Sequence, residues 1–353
     1  MSRRANVIGL GLIGGSVAKA LRARAWHVSG DDAVPGRADH AVALGVIDAA
    51  GLDPDAEVTV VATPVGAAAD AVRRALAATS GVVTDVGSTK AALVATVGPE
   101  ARYVGGHPMA GSELDGLDGA DAELFSGAVW VLTPTEATAD TTFSTVAAVV
   151  SDLGAEVVAL PPDRHDALVA VVSHVPHLTA ATLMLLAEER AVEHASLLRL
   201  AAGGFRDMTR IASGHPRIWL DICADNRAAI LDGLDGLIAG LGAVRRIVAE
   251  GDRGGLEARL LRARHARANL PSRLARTEDL AEVRIPIPDR PGAAAEVFTL
   301  ASELGVNIAD FEVTHSAEGE RGVLYLVVEA PATDLFRGGL IARGFRPGVR
   351  RLD

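Results

Sequence analysis

The segment Val7-Ile8-Gly9-Leu10-Gly11-Leu12-Ile13-Gly14 sets G-x-G-x-x-G directly after a strand-like run, Asn6–Gly9, and at the opening of an Ala-rich helical run. The first glycine permits a tight turn, the second lets backbone approach a pyrophosphate, and the third lets the helix pack closely on the strand. The helix N-terminus adds N–H groups and a dipole that favour an anion. Gly9, Gly11, Leu12, Ile13 and Gly14 are therefore candidate dinucleotide contacts in a Rossmann-type domain. Asp31 and Asp32 close the next strand-like run, His27–Gly30, about 20 residues on, where a carboxylate accepts the adenosine ribose hydroxyls and repels a 2′-phosphate. That predicts NAD, with Asp32 the better candidate because it lies at the outer end. Arg37 nearby leaves NADP as the alternative, since a guanidinium is the usual phosphate partner. Thr63-Pro64, after the third strand, falls where the chain would pass over the nicotinamide half.

The runs Asn6–Gly9, His27–Gly30, Val58–Ala62, Val82–Asp85, Tyr103–Gly105 and Val129–Leu132 alternate with helical runs, the rhythm of a parallel sheet covered on both faces. Ligands of such sheets sit beyond the carboxyl ends of the strands. We assign residues 1–160 to this domain. The β rhythm then stops, and long helical patterns such as Leu178–His194 and Arg227–Glu250 predict an all-helical substrate and dimerisation domain over 161–270. After Pro271, residues 282–353 return to strands and helices in the order βαββαβ, a ferredoxin-like arrangement. The expected fold class is α/β, with these three domains.

A net charge of −11 argues against non-specific nucleic-acid binding and turns attention to local arginines for any anionic ligand. The single cysteine, Cys223, excludes an internal disulfide and fits a reducing compartment. The N-terminus has no apolar leader, and no uninterrupted apolar run reaches the length of about 18 residues that spans a bilayer. These features predict a soluble, cytoplasmic protein with a small-molecule substrate and neither nucleic acid nor membrane as partner.

Two segments at the ligand-facing sheet edge carry chemistry. Asp85-Val86-Gly87-Ser88-Thr89-Lys90 follows the fourth strand, and Gly106-His107-Pro108-Met109-Ala110-Gly111-Ser112-Glu113 follows the fifth. Histidine exchanges a proton near neutral pH, so His107 is the candidate base and Ser88 a hydroxyl that could fix its orientation. Lys90 is one of only two lysines in the chain. His174 and His177, three apart, share a helix face, but no third ligand stands at metal-site spacing, so no metal is expected. His165 reads as a surface or capping residue of the preceding helix.

These segments, with Ser173-His174-Val175-Pro176-His177 and Gly203-Gly204-Phe205-Arg206-Asp207-Met208-Thr209-Arg210 downstream, resemble the prephenate and arogenate dehydrogenases of tyrosine biosynthesis over roughly residues 7–227. The resemblance implies that His107 is the catalytic histidine on the ring hydroxyl and Ser88 its support. It implies that His177 and Arg210 contact substrate, Arg210 gripping a carboxylate, that Ser112 and Glu113 line the pocket, and that Asp207 and Trp219 shape or gate it. The reaction so implied is NAD-dependent oxidative decarboxylation of prephenate, with arogenate as the alternative substrate. A β-hydroxyacid or imine reductase on a similar scaffold relies on a lysine in its helical domain, and none occurs here. A catalytically silent amino-acid or nucleotide sensor is the reading from another class.

Asp289-Arg290-Pro291-Gly292, followed by an Ala-rich helix and then Gly305-Val306-Asn307-Ile308, resembles the ACT domain, a module that binds amino acids between two copies. The resemblance implies a regulatory ligand, with tyrosine the expected effector, at Asp289, Arg290, Gly292, Asn307 and Ile308, and at least a homodimer.

Overall fold

Strand and helix alternate from the start: β1 (Arg4–Ile8), α1 (Leu12–Ala23), β2 (His27–Asp31), α2 (Arg37–Ala43), β3 (Ala49–Ala50), β4 (Val58–Val61), α3 (Val65–Ala78), β5 (Val82–Asp85), α4 (Ala91–Val97), β6 (Tyr103–Pro108), β7 (Val129–Thr133), α5 (Asp140–Asp152) and β8 (Glu156–Ala159). This is a computed structural model of the chain, describing residues 3–111, 114, 116–193, 201–214, 216–268, 280–288, 290, 292–315 and 321–351. The strands form one sheet in the order β3-β2-β1-β4-β5-β6-β7-β8, with every pairing parallel except the antiparallel β6–β7. Val58-Thr59-Val60-Val61 is buried along its whole length, as a strand covered on both faces must be. Val17, Ala18 and Leu21 of α1 pack into the same core as Val7, Val28 and Val60.

Two strands, β3 and β8, carry no clear period in the sequence. The fifth expected strand also runs three residues further than its pattern, to Pro108, because β7 returns antiparallel and pairs His107 with Val131 and Pro108 with Trp130. His107 thus stands as the penultimate residue of a strand rather than in a loop, which gives its backbone a rigid mount.

Beyond the sheet come α6 (Pro162–Val169), a π-helical turn at Ala170–His174, α7 (Val175–Glu193), α8 (Gly203–Thr209), a 3₁₀ turn at Arg210–Ser213, α9 (Pro216–Asp225), α10 (Arg227–Glu250) and α11 (Arg253–Ala268). The run Pro162–Arg190 is long and apolar enough to cross a membrane by length and composition alone. It carries the buried residues His165, Asp166 and His174.

The chain divides into two compact units, Met1–Arg246 and Ile247–Asp353. In the second, β9 (Leu280–Pro288), α12 (Ala293–Glu303), β10 (Ile308–His315), β11 (Arg321–Glu329), α13 (Thr333–Ala342) and β12 (Gly348–Arg351) follow the expected βαββαβ order. They build an antiparallel sheet, β10-β11-β9-β12. Alternate residues Val283, Ile285 and Ile287 of β9 face a core shared with Val297 and Leu300 of α12 and Phe336 and Leu340 of α13.

Candidate active site

The turn between β1 and α1 has the shape a dinucleotide needs. Gly9 has φ 95°, and a Cβ there would lie 2.5 Å from the Ala62 carbonyl oxygen. A Cβ on Gly14 would lie 1.8 Å from the Gly9 oxygen, so the third glycine is required for helix and turn to meet. A Cβ on Gly11 would meet nothing within 4 Å, which leaves that face open to a ligand. Gly11 caps α1 with no side-chain bond to the first turn's N–H groups, the donors that hold a phosphate. Beside the turn, the Thr63 hydroxyl is buried and lacks a partner among the described residues. An open face, unclaimed helix donors and an orphan hydroxyl together fit a dinucleotide.

Asp32 braces this turn. Its carboxylate accepts the Leu10 N–H at 2.7 Å and the Val34 N–H at 2.8 Å, and Arg37 pairs with it at 3.3 Å. Arg37 is thus engaged by the carboxylate it adjoins. Asp31 turns the other way, to Arg74 of α3 at 2.6 Å.

At the carboxyl ends of β5 and β6 lies a buried polar knot. The Lys90 ammonium, fully buried, donates to the Asp85 carboxylate and, at 2.8 Å, to the Gly106 carbonyl. Asp85 also accepts the Tyr103 hydroxyl at 2.8 Å and the N–H groups of Gly87 and Gly106 at 2.8 and 3.2 Å. A buried carboxylate so saturated fixes the two strand ends against each other.

His107 follows immediately. Its Nδ1 lies 2.9 Å from Nε2 of His165, and His165 Nδ1 lies 2.7 Å from Oδ1 of Asp166. His107 keeps a partly exposed edge, yet burial of the ring first, and then the neighbouring His165, Lys90 and His174, hold it well below the usual histidine range. It is neutral at physiological pH, as a proton acceptor must be. Burial would raise the Asp166 carboxyl, but hydrogen bonds from His165 and from the N–H groups of Ala91 and Lys90 bring it below its ordinary value.

A second wall comes from the helices. Asn226 donates to the Asp166 carbonyl at 2.8 Å and lies 3.2 Å from His174 Nδ1. His174 meets the Trp219 ring edge-on, with centroids 6.1 Å apart, and His177 stacks on the same indole. Gly214 sits against this pair, where a Cβ would be 3.3 Å from His177 Cε1. Arg210 opens the 3₁₀ turn that contains Ile211, whose backbone bonds His177.

Two family descriptions match the chain: "Prephenate dehydrogenase, nucleotide-binding domain" over residues 17–159 and "Prephenate dehydrogenase, dimerization domain" over residues 161–262. The prephenate dehydrogenase of Bacillus subtilis (strain 168) is 32% identical over 334 residues, 90% of this chain and 89% of that one. The chain belongs to the prephenate dehydrogenase family. Among solved structures, the A. aeolicus prephenate dehydrogenase in complex with hydroxyphenyl propionate and NAD+ has a TM-score of 0.70 at 29% identity, covering 77% of this chain and 99% of that one. The Synechocystis arogenate dehydrogenase has a TM-score of 0.66 at 29% identity, covering 75% and 98%.

Among the described residues the ring partner of His107 is His165, not Ser88, which lies half-buried on the loop after β5. His165, read from sequence as a surface or capping residue, is fully buried. Its signal was absent from local sequence because its partner stands 58 positions away. His177, Trp219 and the Arg210 turn come together as one wall, while Asp207 lies exposed on α8. Ser112 and Glu113 lie outside the described residues, as does Asp289. In the second unit, a cavity of about 300 Å³ is lined by Ile287, Pro288, Arg290, Gly292, Ala293 and Val313 among others. Arg290 is paired with Glu296 at 2.7 Å, and Asn307 and Ile308 do not line the cavity.

Proposed function

We propose that the chain oxidises prephenate to 4-hydroxyphenylpyruvate and carbon dioxide with NAD+. The observation that carries this reading is a neutral, partly exposed imidazole, His107, on the carboxyl edge of the same sheet that bears the glycine cradle. Bound NAD+ supplies the acceptor for the hydride that leaves the ring carbon. Gly9, Gly11, Leu12, Ile13, Gly14, Asp32, Thr63 and Pro64 would hold it.

His107 takes the proton of the ring hydroxyl as that carbon is oxidised, and the resulting dienone loses its carboxylate and becomes aromatic. A well-placed base contributes about 10²–10⁴-fold in rate. Arg210 offers the planar, two-point grip that suits the substrate's carboxylate. His177 and Trp219, stacked on each other, form an aromatic wall for the ring. Asp32 already holds Arg37, which supports NAD over NADP. The likeness to the Synechocystis enzyme keeps arogenate as the second substrate to assay. Formation of reduced nicotinamide, followed with prephenate and arogenate and with both nicotinamide cofactors, separates these readings, and inactivity with all four pairs would support the silent sensor instead.

A homodimer fits the dimerization-domain match and the exposed apolar side chains Val171, Val172, Leu185, Leu186, Leu220 and Ile238 on these helices. The βαββαβ unit and its cavity support an ACT-type module with an amino-acid effector, for which we favour tyrosine. Unchanged kinetics at saturating tyrosine would count against it. The acidic composition and single cysteine support a cytoplasmic setting.

A further inference from the structure

We propose that His165 is the positioning residue of His107: it locks the His107 ring as the Nδ1–H tautomer, leaves Nε2 as the proton-accepting atom, and receives the proton's charge beside Asp166. This rests on the reading of His107 as the base.

The argument runs from the fixed end of the chain. Asp166 Oδ1 accepts the Lys90 N–H at 2.8 Å and Oδ2 accepts the Ala91 N–H at 2.8 Å, so the carboxylate is held from two sides. An ionised carboxylate only accepts hydrogen bonds. His165 Nδ1, 2.7 Å away, must therefore be its donor. A neutral imidazole that donates from one nitrogen accepts at the other, which makes His165 Nε2 an acceptor. His107 Nδ1, 2.9 Å from it, must then donate, and only Nε2 of His107 is left with a lone pair. The tautomer of the base is set two residues away by a carboxylate it never touches.

The same geometry disposes of the proton. As the substrate O–H bond breaks, an N–H bond forms at His107 Nε2. The His107 Nδ1–H bond then breaks as an N–H bond forms at His165 Nε2. Only protons move along this chain, and the positive charge ends on an imidazolium 2.7 Å from the Asp166 carboxylate. The other charged or titratable groups facing His107 are Lys90, paired with Asp85 at the end of β5, and His174 of the π turn. Lys90 and His174 disfavour a cation on His107, so moving the charge toward Asp166 relieves that site. His165 is fully buried with one ring nitrogen on Asp166 and the other on His107, whereas a capping role would require only one of these contacts.

The test is the tautomer of His107, read by nitrogen–proton correlation spectra of ring-labelled histidines in the full chain, together with turnover of His165→Phe. We expect an Nδ1–H signal for His107 in the parent and its loss in His165→Phe, with kcat reduced about 10–10²-fold and NAD+ affinity and substrate KM nearly unchanged. An Nε2–H parent, or a variant with parental tautomer and turnover, overturns the proposal. If His165→Phe fails to fold, the parent spectrum decides alone. A parent that shows the Nδ1–H tautomer but oxidises neither prephenate nor arogenate refutes the assigned reaction while leaving the lock in place.

Discussion

The imidazole of His177 lies flat on the indole of Trp219, with ring centres 3.5 Å apart and planes 12° from parallel. Stacking of this kind contributes about 0.5–1.5 kcal/mol beyond area burial and holds His177 in one rotamer. On the proposed reading the pair positions substrate and takes no proton.

Replacing Trp219 with alanine should therefore raise the substrate KM about two- to tenfold, the equivalent of that stacking energy, with a smaller effect on kcat. Steady-state kinetics at saturating NAD+ measure the split. A fall in kcat with KM unchanged would mean that Trp219 acts in the chemical step.

The Lys90–Asp85 pair is wholly buried, and each partner is expensive without the other. Lys90→Met should destabilise the fold by about 3–5 kcal/mol, and adding Asp85→Asn should recover part of that loss. Chemical denaturation of the single and double variants checks both signs.

Burial takes His174 from 6.5 to about 4, against the attraction of Asp166 and aided by His165. The unfolded chain therefore binds this proton at higher pH than the folded chain does. The stability it contributes is full above pH 6.5 and is lost as pH falls toward 4. Thermal unfolding midpoints across this window should fall for the parent and fall less for His174→Gln.

The glycine motif and the placement of His107 at the sheet edge were legible because both are local: a strand, a turn and a helix within one short segment. The bounds of α10, Arg227–Glu250, were equally plain from a long period without proline, its four glycines notwithstanding. What the sequence hid is tertiary. His165 pairs with a residue 58 positions away, and nothing in the spacing of either histidine announces the other. The π turn at Ala170–His174 shifts the helical register between His165 and His177, so a regular wheel misassigns their faces. The antiparallel return of β7, which lengthens β6 to include His107, likewise depends on a partner strand rather than on the period of β6 itself.

Asp32 braces the Leu10 turn and, on the proposed reading, accepts the adenosine ribose hydroxyls, so Asp32→Ser should weaken NAD+ binding roughly 10–100-fold, the worth of charged hydrogen bonds. It also frees Arg37, which should improve use of NADP+ relative to NAD+. The ratio of kcat/KM for the two cofactors measures this. An unchanged ratio would place cofactor choice elsewhere.

The central claim is that the imidazole at the carboxyl end of β6 is the base that makes prephenate oxidation possible. The most direct measurement is the rate of reduced nicotinamide formation from prephenate and NAD+ for the parent and for His107→Asn, with NAD+ binding followed alongside. The account predicts an active parent and a variant slower by about 10²–10⁴-fold that still binds NAD+. A His107→Asn chain that turns over as fast as the parent would contradict it.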